Sequence, residues 1–254
     1  MPRRARVERA LADRRDRVEC GVTRRFWIWH GVWPALGFLL LFFWIYAAAA
    51  DFRVAHSLFY DAASGTWLGA GVWWAEWVHE GGHELVMLVA LSALTVVVGS
   101  RVFAPCSRLK RDAVFVAVAI ALCTGVVGLL KQVTNVDCPS DLIEFGGSHS
   151  FVSLFGHRVS GLPRVECFPG AHSASGFSLI CFYFVLIDKD QGAARIALVG
   201  ALLTGCLFAF AQEARGAHFL SHDLTSAAIV WYLQLALYAL WEARLRPRVR
   251  IETG

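Results

Sequence analysis

Of 254 residues, 57% are hydrophobic and only 17% are charged. That excludes an ordinary soluble globular domain and leaves room for about six membrane spans with short connections. The formal charge of +4 says less than its distribution. Nine arginines precede Trp27 (Arg3, Arg4, Arg6, Arg9, Arg14, Arg15, Arg17, Arg24 and Arg25), and directly before an apolar run such a cluster marks a cytoplasmic flank rather than a nucleic-acid arm.

The first apolar run, Gly31–Ala50, ends in AAAAD, which resembles a small-residue cleavage site. Its basic region is long, however, and its core of roughly 20 residues exceeds the usual 7–15 of a signal peptide, so it reads as an uncleaved first helix. The segment Asp51–Gly82 should lie outside, with the tryptophans of WLGAGVWWAEW at the membrane interface. A short amphipathic interfacial helix and a simple aromatic belt both fit those tryptophans, and the belt is preferred. The following spans are Glu84–Ser100, Asp112–Leu130, His172–Ile187, Ile196–Ala211 and Asp223–Trp241. Several are short for a bilayer of about 30 Å, so their ends should extend into flanking residues.

The expected fold is therefore an all-α polytopic membrane protein of six transmembrane helices with a short external interfacial helix. It divides into a basic cytoplasmic segment (1–30), a six-helix membrane domain (31–243) and a basic cytoplasmic tail (244–254). Connections alternate in charge. One set carries the N-terminal arginines, then Arg101, Arg108, Lys110 and Arg111, then Lys189 and Arg195, then Arg244, Arg246, Arg248 and Arg250. The other carries only Arg53, Lys131, Arg158, Arg164 and Arg215. Positive charge stays inside, so both termini are expected in the cytoplasm.

Ionisable groups near membrane depth are costly and usually functional. Here they concentrate at Lys131–Asp137, at His172 and in QEARGAHFLSHD from Gln212 to Asp223. By the topology above, the third span ends outward at Lys131, the fourth begins there at His172, and the fifth ends there near Arg215 and His218. Lysine and arginine can hold phosphate oxygens. One neutral histidine can attack phosphorus while a second, protonated, serves the leaving oxygen. A third group would orient the nucleophilic ring by accepting its other N–H. The start of the fourth helix, at PGAH, could turn free N–H groups toward an anion. Nothing in this scheme needs a metal or another cofactor.

The blocks KQVTNVDCP (Lys131–Pro139), FPGAHSASG (Phe168–Gly176) and RGAHFLSHD (Arg215–Asp223) give the chain its resemblance to the type 2 phosphatidic acid phosphatase superfamily. That family's pattern is a lysine with Arg-Pro seven positions later, then Pro-Ser-Gly-His, then an arginine, Gly-x-His and an aspartate four residues beyond. The resemblance spans the third to the sixth helix, roughly half the chain. It implies that Lys131 binds phosphate, that His172 is the general acid, that His218 becomes a transient phosphohistidine, and that no metal takes part.

The departures are specific. Cys138 stands at the family's first-block arginine, and Arg164 or Arg158 in the following loop is a candidate replacement. Gly170 and Ala171 replace Ser-Gly, which removes a hydroxyl but keeps backbone N–H groups as substrate contacts. Gln212 occupies the arginine position six before His218, whereas Arg215, a substrate-binding candidate, lies one helical turn nearer. His222 lies four after His218 and Asp223 one further; either could orient the His218 ring. A shifted register makes His222 the nucleophile, but Gly216-Ala217-His218 matches the pattern better. His30, His56, His79, His83, His149 and His157 read as ordinary hydrogen-bonded interfacial residues.

Of seven cysteines, Cys123, Cys181 and Cys206 fall in spans and Cys20 and Cys106 inside. Only Cys138 and Cys167 fall outside, where disulfides persist, and they are expected to be bonded. Closing a loop of about 30 residues would stabilise the fold by roughly 3–4 kcal/mol on the chain-entropy model and would tether Lys131 to His172.

The function expected is removal of phosphate from a membrane lipid at the periplasmic or outer face of a bacterial inner (cell) membrane. The headgroup would sit at the interface and the acyl or prenyl chains between helices. A phosphotransferase would use the same residues. A haem-binding electron carrier is the reading from another class, but the histidines crowd one face with no pair at matched depth across two helices; an absorption spectrum separates the two. A catalytically silent relative acting as scaffold or transporter is a third.

Overall fold

The computed structural model describes residues 22–154, 156 and 161–245. Arg3 through Arg17, Cys20, His157, Arg158, Arg246, Arg248 and Arg250 lie outside the described residues. Helix α1 runs Arg24–Ala47, with a π-helical turn at Ile28–Val32. After it come α2 (Ala50–Val54), extended by a second π turn at Ala55–Phe59, and a two-stranded hairpin of β1 (Tyr60–Asp61) and β2 (Thr66–Trp67). The rest of the chain forms α3 (Trp73–Gly99), α4 (Ala104–Thr134), α5 (Ala171–Leu186), α6 (Gln191–Ala214) and α7 (Leu220–Leu245). Five of these, α1, α3, α4, α6 and α7, are long and apolar enough to cross a membrane. The chain is an all-α, multi-pass membrane protein.

Helix α5 is the short one. Its 16 residues reach only about 24 Å, and its continuity breaks at Leu179–Ile180, between Ala171–Ser178 and Cys181–Leu186. The break frees the Ser178 carbonyl, which accepts from Gln234 Nε2 on α7 at 2.7 Å. An unpaired carbonyl at that depth would be costly. Residues Ser173 to Ser178 are all buried, and α5 packs against α3, α4, α6 and α7, so it is the central stave of the bundle. Close approach to α6 depends on Gly176, where an added Cβ would come 2.8 Å from Gly205 Cα.

Helix α1 is held differently. Pro34 lacks an N–H, so the carbonyl of His30 loses its helical donor. Trp231 Nε1 donates to that carbonyl at 2.7 Å, and Tyr232 Oη donates to the Gly31 carbonyl at 2.8 Å. Two side chains of α7 thus clip α1 to the bundle where proline and the π turn have opened its backbone.

Two expectations are corrected. The tryptophans of WLGAGVWWAEW do not form a helix of their own. Gly65 and Gly71, at φ +67° each, turn the chain so that Trp67 lies in β2 and Trp73, Trp74 and Trp77 open α3. The short helix between α1 and α3 is α2, earlier in the chain. Secondly, α3 starts at Trp73 rather than Glu84: the HEGGHE run is helical, with Gly82 buried, His79 half-buried and Glu80, His83 and Glu84 exposed. A Cβ at Gly82 would meet the Phe208 ring at 2.5 Å. At the other end of the bundle from the site described next, Arg111 pairs with Glu242 and Lys189 with Asp112, each at 2.5 Å. Such exposed pairs contribute at most about 1 kcal/mol each.

Candidate active site

Four helix ends meet at one face of the bundle, tied by backbone bonds between segments remote in sequence. Ser140 N donates to Gly216 O at 2.9 Å, and Gly170 N to His222 O at 3.3 Å. The loop after α4 is joined to the approach to α5 by a disulfide between Cys138 and Cys167, whose Cα atoms lie 5.2 Å apart. From the α1–α3 connection, Gly69 N donates to Ala214 O at 2.8 Å. Asp51 Oδ1 accepts from Ser221 N at 2.9 Å and so caps the start of α7, where free N–H groups favour a carboxylate.

Within this junction His218 and Asp223 form a buried pair, Nδ1 to Oδ1 at 3.2 Å. Ser173 Oγ donates to the same Asp223 oxygen at 2.5 Å. The other oxygen, Oδ2, is buried without a partner among the described residues. Gly170 closes the cluster: its carbonyl accepts from the Ser226 hydroxyl at 2.8 Å. A Cβ there would fall 2.6 Å from His218 Nδ1, so only glycine fits. Gly216, two residues before His218, has φ +70° and lies under the Trp67 indole, where a Cβ would meet the ring at 2.6 Å. Left-handed backbone and close packing both demand glycine at this position.

His222 is placed differently. Its ring is wedged between Phe168 and Phe219, centroids 5.2 and 5.5 Å away. Its Nδ1 has no partner among the described residues. Of the two groups that could orient His218, the structure sets Asp223 against the ring.

His172, in the first turn of α5, is half-buried and within electrostatic reach of His218 and Lys131. Lys131, in the last turn of α4, is in reach of Asp223 and Glu166. Arg215 follows α6 directly and lies in reach of His79. The N–H groups of Ala171, His172 and Ser173 have no intrahelical acceptors, as in any first turn, whereas that of Gly170 is spent on His222. Arg164 is exposed, and its Nη2 donates to the carbonyl of Gln132 at the end of α4. Lys131, His172, His218 and Asp223 thus share one end of the bundle. Such a set can hold an anion, attack it and protonate a departing oxygen.

The PAP2 superfamily model matches residues 112–246, which carry all these groups except His79, Asp51 and the Trp67 hairpin. The chain belongs to the PAP2 superfamily. It is a phosphatase-type enzyme on that footing. No curated protein and no solved structure matches the chain. For a PAP2 protein this one has an altered site: a disulfide-bonded cysteine at position 138, and Gln212 paired with His79, Nε2 to Nδ1 at 2.6 Å.

Sequence reasoning missed four participants. His79 stacks on His172, Gln212 holds His79, Ser173 bonds the catalytic aspartate candidate, and Asp51 caps α7. Only the spacing of Gln212 before His218 signalled any of them.

Asp51 gives a pH-dependent prediction. Burial pushes its carboxyl up, opposed by the bonds from Ser221, while the nearby Asp223 carboxylate pushes it further up. A raised value means that the fold favours the protonated form. The contribution of Asp51 is thus fullest at acid pH and is lost as pH rises through the raised value. Asp51→Asn keeps the acceptor for Ser221 N and removes the charge. Its melting temperature in detergent should equal or exceed wild type at pH 8, whereas Asp51→Ala should lose about 1 kcal/mol of capping at acid pH and less at pH 8.

Proposed function

We propose that this protein hydrolyses a phosphomonoester or diphosphate of a lipid headgroup through a phosphohistidine on His218. The observation that carries the reading is the buried His218–Asp223 pair. With Nδ1–H donated to Asp223, the Nε2 lone pair is free to attack phosphorus. The P–O bond to the lipid breaks as the N–P bond forms, and the departing oxygen takes a proton from His172. Water then attacks the phosphohistidine, giving its proton to His172 and releasing phosphate and free His218. Lys131, Arg215 and the first-turn N–H groups of α5 would hold the phosphoryl oxygens. Arg164, bonded to Gln132 O, could join them only by leaving that carbonyl.

A lipid substrate is supported by the position of the site at the ends of membrane-crossing helices, where a headgroup can meet it while its hydrocarbon chain stays in the bilayer. The apolar groove of about 470 Å³ between α3, α4 and α5 runs from Leu85 and Phe182 toward Leu109 and Asp112, away from the site. Both termini would be cytoplasmic and the site on the outer face of a bacterial inner membrane. The positive connections and the disulfide support this orientation, since disulfides persist in oxidising compartments.

The test is phosphate release from phosphatidic acid, phosphatidylglycerol phosphate, undecaprenyl diphosphate and lipid A, with His218→Ala and His172→Ala beside wild type. His218→Ala should show no turnover and no acid-labile phosphoprotein at undiminished protein level. Retained turnover in that variant would remove His218 from the role.

A further inference from the structure

We propose that His79 is a positioning residue for the His172 ring and is itself held by Gln212. The proposal rests on the phosphatase reading and extends it to a helix outside the matched family region. His79 and His172 stack at 4.0 Å between centroids and 22° between planes. Gln212 Nε2 lies 2.6 Å from His79 Nδ1 and so stops the supporting ring from turning.

These contacts answer a need that the geometry of α5 creates. His172 is only the second residue of its helix, so no preceding turn walls its side chain. A proton donor must nevertheless keep one N–H aimed at the leaving oxygen, and a misplacement of about 1 Å can cost on the order of 100-fold. Stacking sets the plane of the ring, and the Gln212 bond keeps the ring beneath it from turning. The π face of His79 also accepts both the neutral and the cationic state through which His172 cycles. His79 and His83 have the i, i+4 spacing of paired metal ligands in HEGGH. The flat stack turns the His79 face toward His172, and His79 Nδ1 is already paired with Gln212, which favours positioning over chelation.

The experiment compares kcat/KM of the full-length protein in nanodiscs on phosphatidic acid and on p-nitrophenyl phosphate. The alkoxide leaving group of the first needs a proton, and the nitrophenolate of the second leaves without one. His79→Ala should lose about 30- to 100-fold on phosphatidic acid and far less on p-nitrophenyl phosphate. His79→Phe, which keeps the stack, should recover most of that loss. Equal losses on both substrates, no loss on either, or activity abolished in wild type by a chelator would overturn the proposal. If wild type hydrolyses neither substrate, the phosphatase reading fails. The ¹⁵N spectrum of the His172 ring then decides the positioning claim alone: one tautomer in wild type and an exchange average in His79→Ala supports it, and identical spectra overturn it.

Discussion

Asp223→Asn is expected to lower kcat by about three to four orders of magnitude while leaving KM within a few-fold. The carboxylate accepts from His218 Nδ1, which leaves the lone pair on Nε2. An asparagine amide in the same place can present its NH2 to Nδ1. The ring then carries its proton on Nε2 and cannot attack. In serine hydrolases the same change at the histidine-orienting aspartate costs about 10⁴ in kcat. Ser173 reinforces the argument, because its hydroxyl donates to the same Asp223 oxygen and favours an acceptor there. Steady-state phosphate release, with thermal melting as a check on folding, measures the effect. A loss under tenfold would mean that Asp223 does not orient the nucleophile.

The second large effect should follow removal of the Cys138–Cys167 bond. Its sequence separation of 29 residues corresponds to about 3–4 kcal/mol on the chain-entropy model. Cys138→Ser, Cys167→Ser and the double variant should lose the same stability, since the first change already opens the loop. Reductant should bring wild type to the same melting temperature. The loop also carries Asp141, whose Oδ2 accepts from Cys138 N at 3.2 Å, and Ser140, bonded to Gly216 O. Opening it should therefore also raise KM through loss of order around Lys131. A double variant that melts with wild type would show that this bond adds nothing to the native state.

The helices were legible because apolar runs of span length have few alternatives in water or lipid, and the charge alternation of their connections needed no tertiary information. The polar blocks around Lys131, His172 and His218 stood out for the same energetic reason. What the sequence hid is a matter of rotation and contact. The choice between His222 and Asp223 turns on how the start of α7 is rotated about its axis, which one residue of spacing cannot settle. His79 carries no local mark, since a histidine near a helix end looks the same whether it faces lipid headgroups or another imidazole. The break in α5 at Leu179–Ile180 lies in an apolar stretch, and the side chain that satisfies the freed carbonyl, Gln234, is more than 50 residues away. Strands of two residues in the hairpin are too short for alternation to declare them.

The indole of Trp67 rests on the backbone of Gly216, and Gly69 bonds the carbonyl just upstream. A tight bend between two membrane helices is thereby braced by a ribbon that neither helix contributes. The angle at which the imidazole of His218 emerges is consequently inherited from a connection some 150 residues earlier in the chain. Changes in hairpin length should retune the chemistry without touching any group that handles the phosphate.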